Sequence, residues 1–515
     1  MVLEIRKVGV EDVTLLRDFL GRAGNSLKTF RYFNKRDVSC LENHLLTVMG
    51  VGDDGKPLAY GHLDREDGVT WLGICVVESA TGRGFGREIM AKLLARADED
   101  GIRLDLAVDK GNSRAISLYE KCGFKFRKEM DGLLFYARER AIPVYKPWVP
   151  EKSKEYVAEA LESGWISSAG KFVKEFEERL AAFVGAKYAI VTNSGTGACH
   201  LILEALGVSE RKRVLCPALT FIATANTAVH CHKDPSLVRF VDADPETWNM
   251  DLNKLEDAAK EGPGGDSVLF WTPVYGNMSD MDQVEDICSK YGITLCEDAC
   301  EAIGSKWKGR FAGTFGVAGA FSFHAAKSVA TGEGGAVVTN DKEIYDRIWL
   351  LRGHGQANKE YYHPVVGYNY RMTNIQAAIG VGQMEEIQHI LDTKDRIYKR
   401  YKRNLEGRVR FASEPVGATH SHWAVTVLAA AWDEKSLFTE MRDAIRKALA
   451  DNGIETRGVF IPIPSLPPYA RNNAGYPVAT MINRLGVSLP TFVGLRDEEI
   501  DRICDIVKSV ADKGV

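Results

Sequence analysis

One lysine stands in the stretch GAFSFHAAKSVATGEGG (Gly319–Gly335) among small residues, two phenylalanines, a serine and a histidine, with no carboxylate until Glu333. A lysine in a crowded, nearly neutral pocket loses solvation for its charged form, and its amine becomes a nucleophile toward carbonyls. The bland alternative for Lys327 is a flexible surface lysine in a glycine-rich loop, the commoner case for a lysine taken at random. Two other stretches bear on the choice. IVTNSGTGACHLILEAL passes from a strand through Ser194, Gly195 and Thr196 into a helix, an arrangement that turns free N–H groups toward an anion. TLCEDACEAIGS sets Asp298 at the carboxyl end of an apolar strand, where ligands gather in open α/β sheets, and a buried acid there needs a cationic partner. Anion site, acid and lysine are the parts that hold pyridoxal 5'-phosphate: one for its phosphate, one for its ring nitrogen, one for its aldehyde.

A second constellation precedes this one. CVVESATGRGFGREIMAKLLARA reads as a strand, a glycine-rich turn and a helix. Gly82, Gly84 and Gly86 would let the backbone approach a ligand, while the first helical turn presents N–H groups backed by the helix dipole. Arg83 and Arg87 add charge at the rim of what would be a pyrophosphate cradle. Taken alone, such a turn reads equally well as structural. Downstream, NSRAISLYEKCGF (Asn112–Phe124) offers Tyr119, either a half-buried core residue of an amphipathic helix or an acid for a departing thiolate. No general base is apparent, and a bound water could relay that proton.

These groups need rigid elements to carry them. A chain of 515 residues is long enough for two or three domains. Pro143, Pro147 and Pro150 in ARERAIPVYKPWVPEKSKEY interrupt regular structure and place a boundary near residue 141. Before it, the patterns predict strands at VTWLGICVVES, IRLDLAV and GLLFYA, with helices from about Gly86 to Asp98 and through SRAISLYEKCG. After it, KYAIVT, RVLCP, LVRFVD, SVLFWT and ITLCEDA alternate with amphipathic helices, one showing Phe172, Phe176, Leu180 and Phe183 on a single face. That alternation predicts an α/β fold, a mostly parallel sheet covered by helices on both sides.

Composition sets the surroundings. Hydrophobic content of 45% and charged content of 26% are those of a globular protein, and a net charge of -4 gives no push toward nucleic acid or anionic membrane. The start MVLEIRKVGVEDVTLL lacks a basic-then-apolar leader and no apolar run is long enough to cross a bilayer, so a cytoplasmic location is expected. Ten cysteines follow no regular spacing and none forms a CxxC pair, so reduced thiols are expected rather than disulfides or structural zinc, and no metal site.

The turn and helix around Gly84, with NSRAISLYEKCGF after them, resemble the two main motifs of the GNAT N-acetyltransferase family, over about the first 140 residues. The resemblance implies a mixed α/β domain over residues 1–140 that uses acetyl-CoA. Val77 and the splayed strand around it would bind the pantetheine arm. Gly82, Gly84 and Gly86 would hold the pyrophosphate, with Arg83 and Arg87 beside it. Asn112 would contact the cofactor, and Tyr119 would protonate the coenzyme A thiolate. The family's first motif usually begins with Gln or Arg where this chain has Thr81, but the cradle works through backbone donors.

From about residue 142 to 515 the chain resembles the DegT/DnrJ/StrS family of sugar-nucleotide aminotransferases. The matching stretches include SGWISSAGKFVKEFEERLAAFVGAKYAIVTNSGT, TFIATAN, VDADPETWNMD, EDACEAIGS, FSFHAAKSVATGEGGAVVTN and VVGYNYRMTNIQAAIG. The resemblance implies a fold type I aminotransferase over residues 141–515, with a large domain at about 155–390 and a smaller C-terminal α/β domain at about 391–515. Lys327 would form the Schiff base with pyridoxal phosphate and shuttle a proton, and Asp298 would pair with the pyridine nitrogen. Gly195, Thr196 and Ser322 would bind the phosphate, and Phe221 would stack on the ring. Glu301 would face the phenolic oxygen, where relatives often have Gln or His. Asn369 would reach the phosphate of a neighbouring subunit, which implies a homodimer. Dehydratases of the group replace the lysine with His, whereas this chain keeps it.

The implied reaction aminates a nucleotide-linked keto sugar with glutamate as donor, at C4 of a 4-keto-6-deoxyhexose or alternatively at C3. The acetyltransferase would then convert the new amine to an acetamido sugar for surface glycans, or acetylate an unrelated amine. Arg457, in GIETRGVFIPIPSLPPY, either lines the sugar-nucleotide site or is solvated. A non-catalytic regulator on the same scaffold would show loss of the lysine or an added basic helix-turn-helix, and the sequence shows neither.

Overall fold

Strand patterning separates the two seven-stranded sheets of the protein: in the first, strands Val69–Val76 and Leu104–Asp109 alternate in burial over much of their length, while the second is apolar along most of its length. The computed structural model describes residues 3–30, 32–34, 36–208, 212–261, 267–429, 439–470 and 475–512. The chain divides into a unit of Met1–Ile142 and a unit of Pro143–Val515.

Unit 1 contains β1 (Glu4–Lys7), α1 (Val13–Arg22), β2 (His44–Val51), β3 (Pro57–Glu66), β4 (Val69–Val76), α2 (Phe85–Asp100), β5 (Leu104–Asp109), α3 (Ser113–Lys121), β6 (Lys125–Met130) and β7 (Leu133–Arg138). Its sheet runs β1-β2-β3-β4-β5-β7-β6. Every neighbouring pair is antiparallel except β4 and β5, which run parallel and meet at one pair, Trp71 and Asp105. That pair lies near the start of both strands, so they separate toward their carboxyl ends. Helix α2 covers the sheet through Phe85, Ile89, Met90, Leu93 and Ala97, spaced so that one stripe is buried. Ile89 and Leu93 fill the space that Gly61 of β3 leaves without a side chain.

Unit 2 begins with α4 (Glu151–Glu162), α5 (Lys171–Val184), β8 (Tyr188–Thr192), α6 (Gly195–Ala205), β9 (Arg213–Pro217), α7 (Ala223–His232), β10 (Val238–Val241), α8 (Leu252–Lys260), β11 (Ser267–Trp271), α9 (Met281–Tyr291) and β12 (Thr294–Asp298). A short hairpin, β13 (Lys306–Trp307) and β14 (Arg310–Phe311), leads to β15 (Gly319–Ser322) and β16 (Gly335–Thr339). The main sheet has the order β10-β9-β11-β12-β15-β16-β8. Its first five strands are parallel, and β16 is antiparallel to both neighbours. Both faces are buried: Leu215, Leu269, Trp271 and Phe321 face one core, while Val214, Cys216, Val268 and Phe270 face the other. This accounts for the nearly continuous apolar strands. The chain continues through α10 (Lys342–Arg352), α11 (Asn374–Glu385) and α12 (Ile387–Leu405). It ends with a small antiparallel sheet in the order Val425–Leu428, Gly486–Leu489, Arg457–Gly458, and a last helix, Asp497–Ala511, that packs against α12 and the helix Glu440–Ala450.

The stripe expected on α5 holds for Phe172, Phe176 and Leu180 but closes on Val184 rather than Phe183. A 3.6-residue repeat carries the buried face from 180 to 184, and Phe183 lies half-buried against Phe311, ring centroids 4.9 Å apart. Phe176 is fully buried and its ring lies 4.9 Å from that of Phe323, one residue beyond the end of β15. Phe176→Ala is expected to cost about 3–5 kcal/mol of unit 2 stability through the cavity it leaves, measured as a lower urea midpoint for that unit.

Candidate active sites

At the carboxyl end of the parallel strands of unit 2, three stretches distant in sequence converge. Asp298, the last residue of β12, is 5% exposed. Its Oδ2 accepts a hydrogen bond from the Thr224 hydroxyl at 2.6 Å and its Oδ1 accepts the Cys300 N–H at 3.3 Å. Among the described residues no cation pairs with it, and a buried carboxyl group so placed would be answered by a protonated ring nitrogen. Phe221, whose carbonyl also accepts from Thr224, leaves its ring 54% exposed.

Gly195 and Thr196 open α6, capped by Ser194, whose hydroxyl accepts the Gly197 N–H at 3.0 Å. The N–H groups of Gly195 and Thr196 precede the first intrahelical bond and sit at the positive end of the helix. A Cβ on Gly195 would come within 2.7 Å of Ser322 Cβ and 2.9 Å of Cys300 Sγ, so only glycine lets this turn close on β15. Ser322 therefore lies beside the anion site. Asn369 is exposed, and its carbonyl accepts from the Asn193 side chain at 3.2 Å.

Lys327 does not sit in the nearly neutral pocket its local sequence predicts. Its Nζ lies 3.6 Å from Glu301 Oε1 and 3.8 Å from the centroid of the Trp423 ring, and the side chain is largely buried. The counter-charge comes from a segment 26 positions away, which the local reading could not see. Burial pushes the Glu301 carboxyl above its ordinary range, and the Lys327 charge opposes that rise. Glu301 Oε2 also accepts the N–H of Tyr275, a residue held at φ 56°. Such a conformation is uncommon for a non-glycine and marks a locally determined backbone. Trp423 is fixed in turn. Its indole N–H donates to the Ala326 carbonyl at 2.7 Å, and its ring stacks on Tyr145 at 5.7 Å and Tyr275 at 6.0 Å. Arg457 is exposed, yet its guanidinium lies 5.0 Å from the Tyr145 ring centroid, at the outer end of this stack.

Unit 1 holds a groove of about 1010 Å³ in the opening between β4 and β5. Gly73 to Val76 of β4 and Ala107 to Asp109 of β5 form its walls. Gly82 and Gly84 have φ of +84° and +92°, a conformation that side chains disfavour, and they turn the chain into α2. The N–H groups of Phe85 and Gly86 then face the groove's end with Arg87 beside them. Asn112 lines the groove while its side chain caps α3, accepting the Ala115 N–H at 3.2 Å. Tyr119 lines it too, and burial pushes its phenol up to about 12, so the hydroxyl keeps its proton at neutral pH.

Two residues expected at this site lie elsewhere. Val77 is buried in the core of unit 1, with its N–H bound to the Leu58 carbonyl and its own carbonyl bound by Ala80, because β4 ends at Val76 and the chain turns inward. Arg83 is exposed on the outer side of the turn and does not line the groove. Sequence reasoning also missed Thr224 and Trp423. Thr224 lies within TFIATAN and carried no charge to draw notice. Trp423 is 96 positions from the lysine it covers.

The DegT/DnrJ/EryC1/StrS aminotransferase family matches residues 148–508, and the acetyltransferase (GNAT) family matches residues 15–124. The chain is 39% identical over 367 residues to a GDP-perosamine synthase of Escherichia coli O157:H7, covering 71% of this chain and 97% of that protein. It is 38% identical over 251 residues to a UDP-4-amino-4,6-dideoxy-N-acetyl-beta-L-altrosamine transaminase of Campylobacter jejuni, covering 48% of this chain and 65% of that protein. A Streptococcus pneumoniae chain assigned as a sugar aminotransferase and solved in its PLP form superposes with a TM-score of 0.66 at 26% identity, over 73% of this chain and 100% of that one.

Thr224→Val keeps the shape of the side chain and removes the hydroxyl that donates to Asp298. The loss leaves a buried charge less satisfied and is expected to cost about 1.5–3 kcal/mol of unit 2 stability, read by urea unfolding of protein stripped of small ligands.

Proposed function

The chain belongs to the DegT/DnrJ/EryC1/StrS aminotransferase family with a GNAT domain ahead of it, and on that premise we propose a bifunctional enzyme acting on one nucleotide sugar. Unit 2 aminates an NDP-linked 4-keto-6-deoxyhexose at C4, with glutamate as amino donor and pyridoxal phosphate as cofactor. Unit 1 transfers an acetyl group from acetyl-CoA to the new amine, giving a 4-acetamido sugar for surface glycans. The observation that carries the first half is the convergence of Lys327, the uncompensated Asp298 and the open end of α6 at one edge of the sheet. Support for the position of the amine comes from the relative named for a 4-amino-4,6-dideoxy sugar. The relatives' names carry both GDP and UDP, so the substrate class is a nucleoside diphosphate sugar.

Bound pyridoxal phosphate would supply an aldehyde that captures amines and a ring that accepts electrons. The residues supply the rest. Asp298 holds a proton on the ring nitrogen, and Gly195, Thr196 and Ser322 receive the phosphate. Phe221 offers an exposed ring face. Lys327 Nζ moves a proton between the carbons that lose and gain the amine, with Glu301 and Trp423 fixing where that nitrogen rests. Glu301 is assigned to face the phenolic oxygen, its carboxyl raised by burial and that rise opposed by the Lys327 charge. In unit 1 the backbone of α2's first turn and Arg87 bind the pyrophosphate, and Tyr119 donates a proton to the leaving thiolate. Asn369, on an exposed segment, is assigned to the neighbouring subunit's phosphate in a homodimer. The described residues include no helix long and apolar enough to cross a membrane, which fits a chain that works on water-soluble sugar nucleotides.

The test incubates purified full-length protein with glutamate, acetyl-CoA and a panel of GDP- and UDP-linked 4-keto-6-deoxy sugars, then reads products by mass. Lys327→Ala is expected to abolish amine formation while acetylation of a supplied 4-amino sugar continues at the wild-type rate. Amination by that variant, or borohydride trapping of the cofactor at another residue, would remove the basis for the first half. An amine placed at C3 would correct the regiochemistry.

A further inference from the structure

The groove of unit 1 continues past the acetyl-CoA cradle to a polar cluster that the reading above leaves unused. Asp64, on β3, lines the groove and is 6% exposed. Its Oδ2 accepts a 2.6 Å hydrogen bond from the Tyr32 hydroxyl. Tyr32 Oη lies 2.7 Å from His44 Nε2, and His44 Nδ1 lies 2.7 Å from Thr47 Oγ1. With Tyr32 donating to the carboxylate, its remaining lone pair accepts from His44 Nε2–H, and His44 Nδ1 then accepts from Thr47. The chain therefore has one direction and ends on Asp64.

His62, two residues from Asp64 on the same face of β3, is 1% exposed, and its Nδ1 has no partner among the described residues. Its ring lies over β4 where Gly73 has no side chain; a Cβ there would stand 2.3 Å from the ring. Burial lowers the pKa of both imidazoles, so neither supplies a positive charge at neutral pH. Among the described residues, the Arg36 guanidinium beside the cluster pairs with Glu66 at 2.7 Å and lies 4.6 Å over the Tyr32 ring. Cys40 also faces Tyr32, and burial raises its thiol pKa. The cluster thus holds one buried carboxyl group, Asp64, with one hydrogen bond and no ion pair among the described residues, open to a ligand groove. A buried carboxylate without a cation is costly unless a ligand brings one.

We propose that Asp64 receives the ammonium group of the acetyl acceptor and is the base that frees its nitrogen for attack. The inference rests on unit 1 being an acetyltransferase for a primary amine. The ammonium gives one proton to Asp64, and the neutral nitrogen forms its bond to the thioester carbon. When the carbon–sulfur bond breaks, the thiolate takes a proton from Tyr119, which the second proton lost by nitrogen replaces. The Asp64 proton leaves to solvent. Tyr32 and His44 are positioning residues that hold the carboxylate in place. His62 lies alongside and takes no proton in the step.

The test uses full-length protein and Asp64→Asn, which keeps the shape and removes the base. Acetylation is followed by release of free thiol with the 4-amino sugar and with a panel of simple aliphatic primary amines, from pH 6.5 to 9.5. On whichever amine the wild type uses, the variant is expected to lose about 100-fold or more in kcat/KM at pH 7. Its rate should climb about tenfold per pH unit, because only acceptor already neutral reacts. Acetyl-CoA affinity by equilibrium dialysis and sugar amination by unit 2 should not change. Tyr32→Phe should lose about tenfold while keeping the wild-type pH profile, and it decides the matter if Asp64→Asn does not bind acetyl-CoA. A rate for Asp64→Asn within threefold of wild type, or a deficit equal at every pH, would overturn the assignment, as would an unaltered rate in Tyr32→Phe. Use of an aliphatic amine but not the sugar would refute the shared substrate and still decide the role of Asp64. Failure of the wild type on every amine would sink both.

Discussion

A buried carboxylate must meet a donor or a cation, and three such groups account for much of how this protein is built. Glu301 is answered from within the chain by the Lys327 amine and the Tyr275 N–H. Asp298 is answered only in part, by a hydroxyl and an amide. Among the described residues Asp64 is met by the Tyr32 phenol. Asp64 lines the groove of unit 1, Asp298 lies at the carboxyl end of the parallel strands, and the satisfied acid fixes the Lys327 amine. Burial makes each carboxylate costly alone, and the geometry of the folded chain decides which cost is removed internally and which awaits a ligand.

In unit 2 the scaffold follows from that requirement. Parallel strands buried on both faces bring their carboxyl ends to one edge, so Asp298 on β12 and the start of α6 after β8 arrive together although about 100 residues separate them. The Trp423 ring, held by Ala326 and stacked between Tyr145 and Tyr275, walls one side of the lysine. This confines Nζ to a small range of positions.

Unit 1 solves a different problem with a different sheet. Two parallel strands that pair once and then diverge leave unpaired backbone facing the gap, suited to an extended amide-bearing ligand. The same divergence brings the Gly82–Gly86 turn to one end of the groove and the Asp64 cluster into the same cavity, so donor and acceptor can meet between them.

The residues alone carried the local chemistry: the glycine turn into α2, the strand-to-helix turn at Ser194–Thr196, the apolar strand ending in Asp298 and the stripe on α5 through Leu180. Each is set by neighbours a few positions away, through backbone sterics or a helical repeat, and so is legible in order along the chain. Only the tertiary structure decided that Lys327 faces Glu301 and Trp423, that Thr224 donates to Asp298, that Val77 turns into the core, and that Tyr32, His44, His62 and Asp64 form one cluster. Those contacts join segments up to 96 residues apart. Local patterning says which face of an element is buried; it does not say which other element will lie against it. Charge balance in a low-dielectric site depends on that second fact.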